Sequence, residues 1–325
     1  SGSNLVLSGD TVGASVNLVN QGTLTASGTN TVNGGIANAG TLTVSGGVAS
    51  AFNGTFSNAA GATLVVRDHA TVLTVASGFT NSGTIVLDEN HDNNGSTFGA
   101  VTMTVGGGTG TLVNTNTGTI RGIDSRVGYA GYGNLILNAQ VVNTGTLDID
   151  RGFTVNTGGG AFTNSGVIDV LGGVGVRLTI SSGTTVFDAG TVLTGTGTVD
   201  LAGTNALTLN TDLTLAAGGG QTLSFSGAVT VASGDAAVPR TLTIGSGSNL
   251  VLSGDTVGAS VNLANAGTLT ASASTVNGGL ANAGTVTVSG GVGSAFNGAF
   301  SNALGATLNV FDHLTTLTVA SGFTN

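Results

Sequence analysis

The sequence predicts an all-β solenoid wound in coils of about 18–22 residues, and three observations carry that reading. Val, Leu, Ile and Thr dominate the chain, which suits pleated, half-buried surfaces rather than helices. Short segments alternate polar and apolar with period two, as in Thr41-Leu42-Thr43-Val44-Ser45 and Thr241-Leu242-Thr243-Ile244, so one face packs inward and the other meets water. A corner motif then recurs along the chain at the spacing of one solenoid coil.

That motif is an Asn, one intervening residue, Gly, a β-branched residue and an aliphatic. It runs in order through Asn20 and Gly22, Asn38 and Gly40, Asn81 and Gly83, Asn143 and Gly145, Asn164 and Gly166, Asn265 and Gly267, and Asn282 and Gly284. Asn and Gly tolerate the left-handed backbone of a sharp corner, and the Thr-aliphatic pair that follows starts a strand. The sequence therefore assigns these residues to structural turns, with Asn side chains stacking into amide ladders from coil to coil. The rhythm is interrupted between Gly83 and Gly118 and between Gly166 and Gly197. Loops that leave the coil are expected there.

A longer period overlies the short one. Residues 1–81 return almost unchanged as residues 246–325, from Ser-Gly-Ser-Asn-Leu-Val-Leu-Ser-Gly-Asp to Ala-Ser-Gly-Phe-Thr-Asn. Residues 1–245 thus read as one long tandem unit of a continuous solenoid and 246–325 as the start of the next copy. A chain that restarts itself is expected to be a stretch of a longer array, with any export signal or anchor outside it. The copies also test the strand reading: Leu64 and Val66 return as Leu308 and Val310, whereas Val65 and Arg67 become Asn309 and Phe311. Retained and altered positions alternate, as a strand with one buried side requires.

Composition narrows the possible chemistry. The net charge is −9, there is no lysine, and charged residues make up 6% of the chain against roughly 25% in ordinary soluble domains. Without a basic stripe, counterion release has no source, and nucleic acid is excluded as a partner. The absence of cysteine excludes a disulfide scaffold and thiolate metal sites. No run approaches the ~18 apolar residues of a membrane helix.

The corner motif, the Gly/Asn/Thr/Val composition, the missing cysteine and the long tandem unit together resemble bacterial β-solenoid surface adhesins. The likeness is to autotransporter passengers, filamentous-haemagglutinin-like exoproteins and giant biofilm adhesin repeats, and it covers essentially the whole chain. The resemblance implies a right-handed parallel β-helix displayed outside a Gram-negative cell, with a structural or adhesive role in cell adhesion, aggregation or biofilm matrix. It brings no catalytic residues. The expected partners are other copies of the chain, in fibres or bundles, and surface carbohydrate; a membrane enters only through an anchor outside these residues. A polymerising surface-layer or sheath subunit, and a β-helix that binds or cleaves polysaccharide, are the competing functions.

Four groups of residues carry possible chemistry. Asp124, Arg126, Tyr129 and Tyr132 bring the chain's only two tyrosines beside a guanidinium and a carboxylate, a combination that stacks on a pyranose and fixes its hydroxyls. Asn90, Asp92 and Asn94 have the spacing that opens a calcium loop, but the twelfth position is Val101, so the bidentate carboxylate is missing. No other cofactor is expected. Asp68-His69 and its copy Asp312-His313 are adjacent; on a strand they would point to opposite faces and could not share a proton. Asp148 and Asp150 share a face beside Arg151, but no second acidic cluster completes a cleft, so no enzyme is expected. The triple glycines 106–108, 158–160 and 218–220 lack the lysine of a phosphate loop and read as turns. Paired threonines such as Thr285-x-Thr287 would form an ice-binding face only as an unbroken array in one register.

Overall fold

The computed structural model describes residues 2–90, 99–125 and 134–325. They form an all-β parallel β-solenoid of about 14 coils, with turns about 22 residues apart. The chain makes two compact units, residues 1–162 with 175–178, and residues 163–174 with 179–325. The start of the second repeat copy, at Ser246, lies inside the second unit.

A coil of the first unit has three strands, one on each of three faces. In one coil they are Thr23–Ser27, Thr31–Val32 and Ile36–Asn38; the next repeats them as Thr41–Ser45, Ala49–Phe52 and Phe56–Asn58. Each strand pairs in parallel with its counterpart one coil away, never with its neighbour in sequence. On the first face Leu24, Leu42, Leu64, Ile85, Ile120 and Leu147 stand in one register, and all are buried. Such a side chain, fully removed from water, contributes about 1.5–3 kcal/mol. The alternation expected for Leu64 and Val66 is present, since both are buried while Val65 and Arg67 are half-exposed.

Next to the aliphatic column runs another, through Ala26, Val44, Val66 and Leu87, which reaches Gly122 and then Ile149. The space left at Gly122 is taken by Phe153: a Cβ there would lie 2.5 Å from the phenylalanine ring. Phenylalanines fill the bend between the second and third faces. Phe56 meets Phe52 at 5.9 Å and Phe79 edge-on at 4.8 Å, and in the second unit Phe300 meets Phe296 edge-on at 5.6 Å and Phe323 at 5.0 Å.

The first interrupted stretch is a long coil. Thr84 pairs directly with Thr119, and the next strand after Thr84–Asp88 is Val101–Val105. The second interruption differs from the expected loop. An exposed turn holds Leu171 and Val174, but the chain then runs in long strands, Arg177–Phe187 and Thr198–Leu209. These bend at Ser182, Gly183 and Gly203, which adopt positive φ, and so turn a corner without leaving the ladder.

Candidate functional site

The corner between the third and first faces holds the Asn-x-Gly residues, and their side chains turn inward. Asn20 Nδ2 donates to Asn38 Oδ1 at 2.7 Å, Asn38 to Asn58 at 2.8 Å, Asn58 to Asn81 at 2.7 Å, Asn81 to Asn114 at 2.7 Å and Asn114 to Asn143 at 2.7 Å. The same amides also donate to backbone carbonyls one coil on, as from Asn20 to Thr41 at 2.9 Å and from Asn38 to Thr63 at 3.0 Å. The second unit repeats the row through Asn265, Asn282, Asn302 and Asn325. Apart from Asn325, which is exposed, these amides are buried, and a buried amide needs partners for both its oxygen and its nitrogen. Within the row, identical side chains at a one-coil spacing supply them.

The structure gives the glycines of the motif a different reason from the one read in the sequence. Gly22, Gly40, Gly83, Gly145, Gly267 and Gly284 do not adopt positive φ. A Cβ on Gly40 would instead lie 2.2 Å from the carbonyl oxygen of Gly22, and on Gly284 2.3 Å from that of Gly267. Glycine is required because backbone stacks on backbone. Asn58 and Asn114 belong to the row although the spaced motif misses them, because Asn58-Ala-Ala-Gly-Ala-Thr63 and Asn114-Thr-Asn-Thr-Gly-Thr119 place two more residues before the Thr. By contrast, the triple glycines do bend the chain with positive φ, as at Gly106, Gly107 and Gly108.

A second polar column, not foreseen in the sequence, lines the bend between the first and second faces. Asn30 Oδ1 accepts from the Asp10 N–H at 2.9 Å, Ser50 Oγ from the Asn30 N–H at 3.3 Å and Thr71 Oγ1 from the Gly47 N–H at 3.0 Å. In the repeat copy Ser274, Ser294 and Thr315 take these places. The available signal was a small polar residue at the start of the second-face segments, as in Asn30-Thr31-Val32, Ala49-Ser50-Ala51 and Ser274-Thr275-Val276.

Charged groups gather along the same bend in the first unit. Arg121, which sits in register with Asp148, meets Asp148 at 2.7 Å and Asp150 at 3.0 Å, and all three are partly exposed. Arg151 pairs instead with Asp124 at 2.5 Å, with both side chains largely buried. Asp88 is buried and accepts from the Ser125 N–H at 2.9 Å and from its Oγ–H at 2.7 Å. The paired carboxylates of Asp148 and Asp150 thus share a guanidinium of the preceding coil.

Of the glycan-binding candidates, Asp124 is described and held by Arg151; Arg126, Tyr129 and Tyr132 lie outside the described residues. Of the calcium candidates, Asn90 is half-buried after the strand Thr84–Asp88, and Asp92 and Asn94 lie outside the described residues. Val101, the twelfth position of that pattern, is buried in the core. Among the described residues no group of three His, Cys, Asp or Glu side chains is placed to hold a metal ion. Asp68 and His69 are not on a strand: they occupy a turn in which Asp68 and Ala70 have positive φ. There Asp68 accepts from the Gly46 N–H at 3.2 Å, as Asp312 does from Gly290 at 2.9 Å.

Thr23, Thr41, Thr63, Thr84, Thr119 and Thr146 stand in one outward register. The adjacent column passes from Thr25 and Thr43 to Val65, Val86 and Arg121, so a two-column threonine lattice is not formed. No protein-family profile and no curated protein matches the chain.

Proposed function

We propose that the chain is a structural and adhesive segment of a secreted bacterial cell-surface fibre, without catalytic activity. The observation that carries this reading is the buried amide row from Asn20 to Asn143, running across coils alongside parallel backbone ladders. Hydrogen bonds that link one coil to the next resist separation of coils, and several ladders share a load along that direction. The charged side chains are consistent with this, since Arg121 and Arg151 hold carboxylates of neighbouring coils instead of leaving them free around a cleft.

Electron microscopy of the chain displayed on a bacterial surface tests the proposal. Thin extended projections, with cells that adhere or clump more than undecorated ones, are expected. Compact deposits with unchanged adhesion would overturn it, and so would release of products from a broad panel of acidic and neutral glycans.

A further inference from the structure

Charge is distributed unevenly around the coil. Among the described residues from 2 to 162, every Asp, Glu and Arg lies on a first-face strand or in the bend that follows it: Asp10, Arg67 and Asp68, Asp88 and Glu89, Arg121 and Asp124, and Asp148 to Arg151. The third face carries none. Its outward column runs in register through Val19, Ala37, Ser57, Thr80, Val113 and Val142, and the first four of these are exposed.

The second unit has an equivalent column, Thr214, Thr243, Ala264, Ala281, Ser301 and Thr324. Because these side chains are short, the face there is hollowed into a groove of about 410 Å³ floored by Ala264, Ala281 and Ser301, with no charged residue in its lining. Charge in this unit lies at one end of the face: Arg240 begins the strand Arg240–Ile244 and is half-buried, and the exposed Asp212 accepts from the Thr241 N–H at 2.8 Å. Ala37 and Ser57 recur as Ala281 and Ser301 at the same places in the two repeat copies.

We propose that this third face, whose outward column carries no charge, is a self-association surface that pairs with the third face of a second copy of the chain. Interface centres are depleted of charge, and two copies of a chain of net charge −9 repel least where their charges point away. Short side chains let two sheets approach to the ~10 Å of ordinary sheet packing. A two-fold pairing makes the surface self-complementary, and the tandem repeat presents the same surface again in the next copy. Six strands about 4.8 Å apart and three or four residues wide give only about 300 Å² of sheet per unit. This is below the ~800 Å² per partner of a stable complex, so the association is weak for one chain and grows with the number of copies. The surface serves the fibre reading above, but its test is separate.

The test is sedimentation of the full chain over a range of concentrations. Wild type is expected to shift reversibly from monomer towards dimer. The variant carrying Ala37→Arg, Ser57→Arg, Ala281→Arg and Ser301→Arg is expected to raise the dissociation constant by about tenfold or more. A first-face control, Thr25→Arg with Thr43→Arg, is expected to leave it unchanged. Because a folding defect would also weaken association, the same four positions are changed to Glu in a further variant, and the Arg and Glu variants are mixed. The mixture associates at least as tightly as wild type if third face meets third face. Wild type that stays monomeric, an Arg variant that associates like wild type, or a mixture that stays monomeric overturns the surface. None of these outcomes bears on whether displayed chains form extended projections, which is the test of the fibre reading.

Discussion

Asn265 stacks in register on Ile244, and the amide row of the second repeat copy begins there. Its Nδ2 donates to Asn282 Oδ1 at 2.7 Å and to the Thr285 carbonyl at 2.9 Å, while its Oδ1 is buried and accepts no hydrogen bond. One coil earlier the corner is aliphatic, with Ile244 in register on Leu215, so no donor faces that oxygen. Asn282 is interior to the row: it accepts from Asn265 and from the Gly284 N–H and donates to Asn302 and Thr307.

The row should therefore be weakest at its aliphatic end. Asn282→Leu strands a donor and an acceptor of its neighbours and is expected to cost about 2–4 kcal/mol, whereas Asn265→Leu removes an already orphaned oxygen and is expected to cost about 1 kcal/mol. Thermal unfolding midpoints of the two variants measure the order. Equal losses, or a larger loss at Asn265, would show that the row does not act as a chain of linked amides.

The glycines separate two physical causes that look alike in sequence. Gly40→Ala drives a Cβ against the Gly22 carbonyl oxygen, whereas Gly61 has φ +77 with nothing within 4 Å of its would-be Cβ. Gly61→Ala should cost only the left-handed backbone penalty, about 1–2 kcal/mol. Gly40→Ala must push adjacent coils apart and should cost more than about 3 kcal/mol or prevent folding. Midpoints that fall equally would refute close stacking as the reason for the motif glycine.

The fold was legible because the solenoid repeats its logic: the alternation at Thr41–Ser45 and the recurrence of Asn38 and Gly40 at Asn282 and Gly284 each report a face and a corner. Cause was less legible than position. A sequence shows that Gly40 must be small but not that Gly22 lies beneath it, since that contact exists only after the coil closes. Asn58 and Asn114 escaped because register is set across coils, which absorb two more residues in a bend without moving the side chain. The partners of Asp124 and Asp148 were hidden for the same reason, as their arginines are neighbours by stacking and distant in sequence.

Two arginines at one bend should differ in worth. Arg121 and its partners Asp148 and Asp150 are 45%, 29% and 28% exposed, whereas Arg151 and Asp124 are 17% and 8% exposed. Exposed pairs contribute about 0.2–1 kcal/mol and are screened by salt, while removing one member of a buried pair costs about 3–5 kcal/mol. Arg121→Ala should then lower stability slightly at low salt and hardly at all at about 1 M salt. Arg151→Ala should lower it by several-fold more in both, and a salt-sensitive loss at Arg151 would contradict the burial of its pair.

Asp255 gives the second unit a pH dependence of known sign. The residue is 2% exposed, and its carboxylate accepts from the Val229 and Ser253 N–H groups. Burial pushes its pKa above the ordinary 3.8 and the charge of Asp200 pushes the same way, with the two N–H groups pulling back. The folded chain thus holds this proton more tightly than the unfolded chain. Stability from the group is present below the ordinary carboxyl value and is lost as pH rises through the interval up to its raised folded value. Asp255→Asn removes the titration, so the stability of wild type relative to the variant should fall as pH rises across that interval and level off above it. Melting temperatures of both proteins across the acid range decide the matter, and a difference that is flat or grows with pH would contradict it.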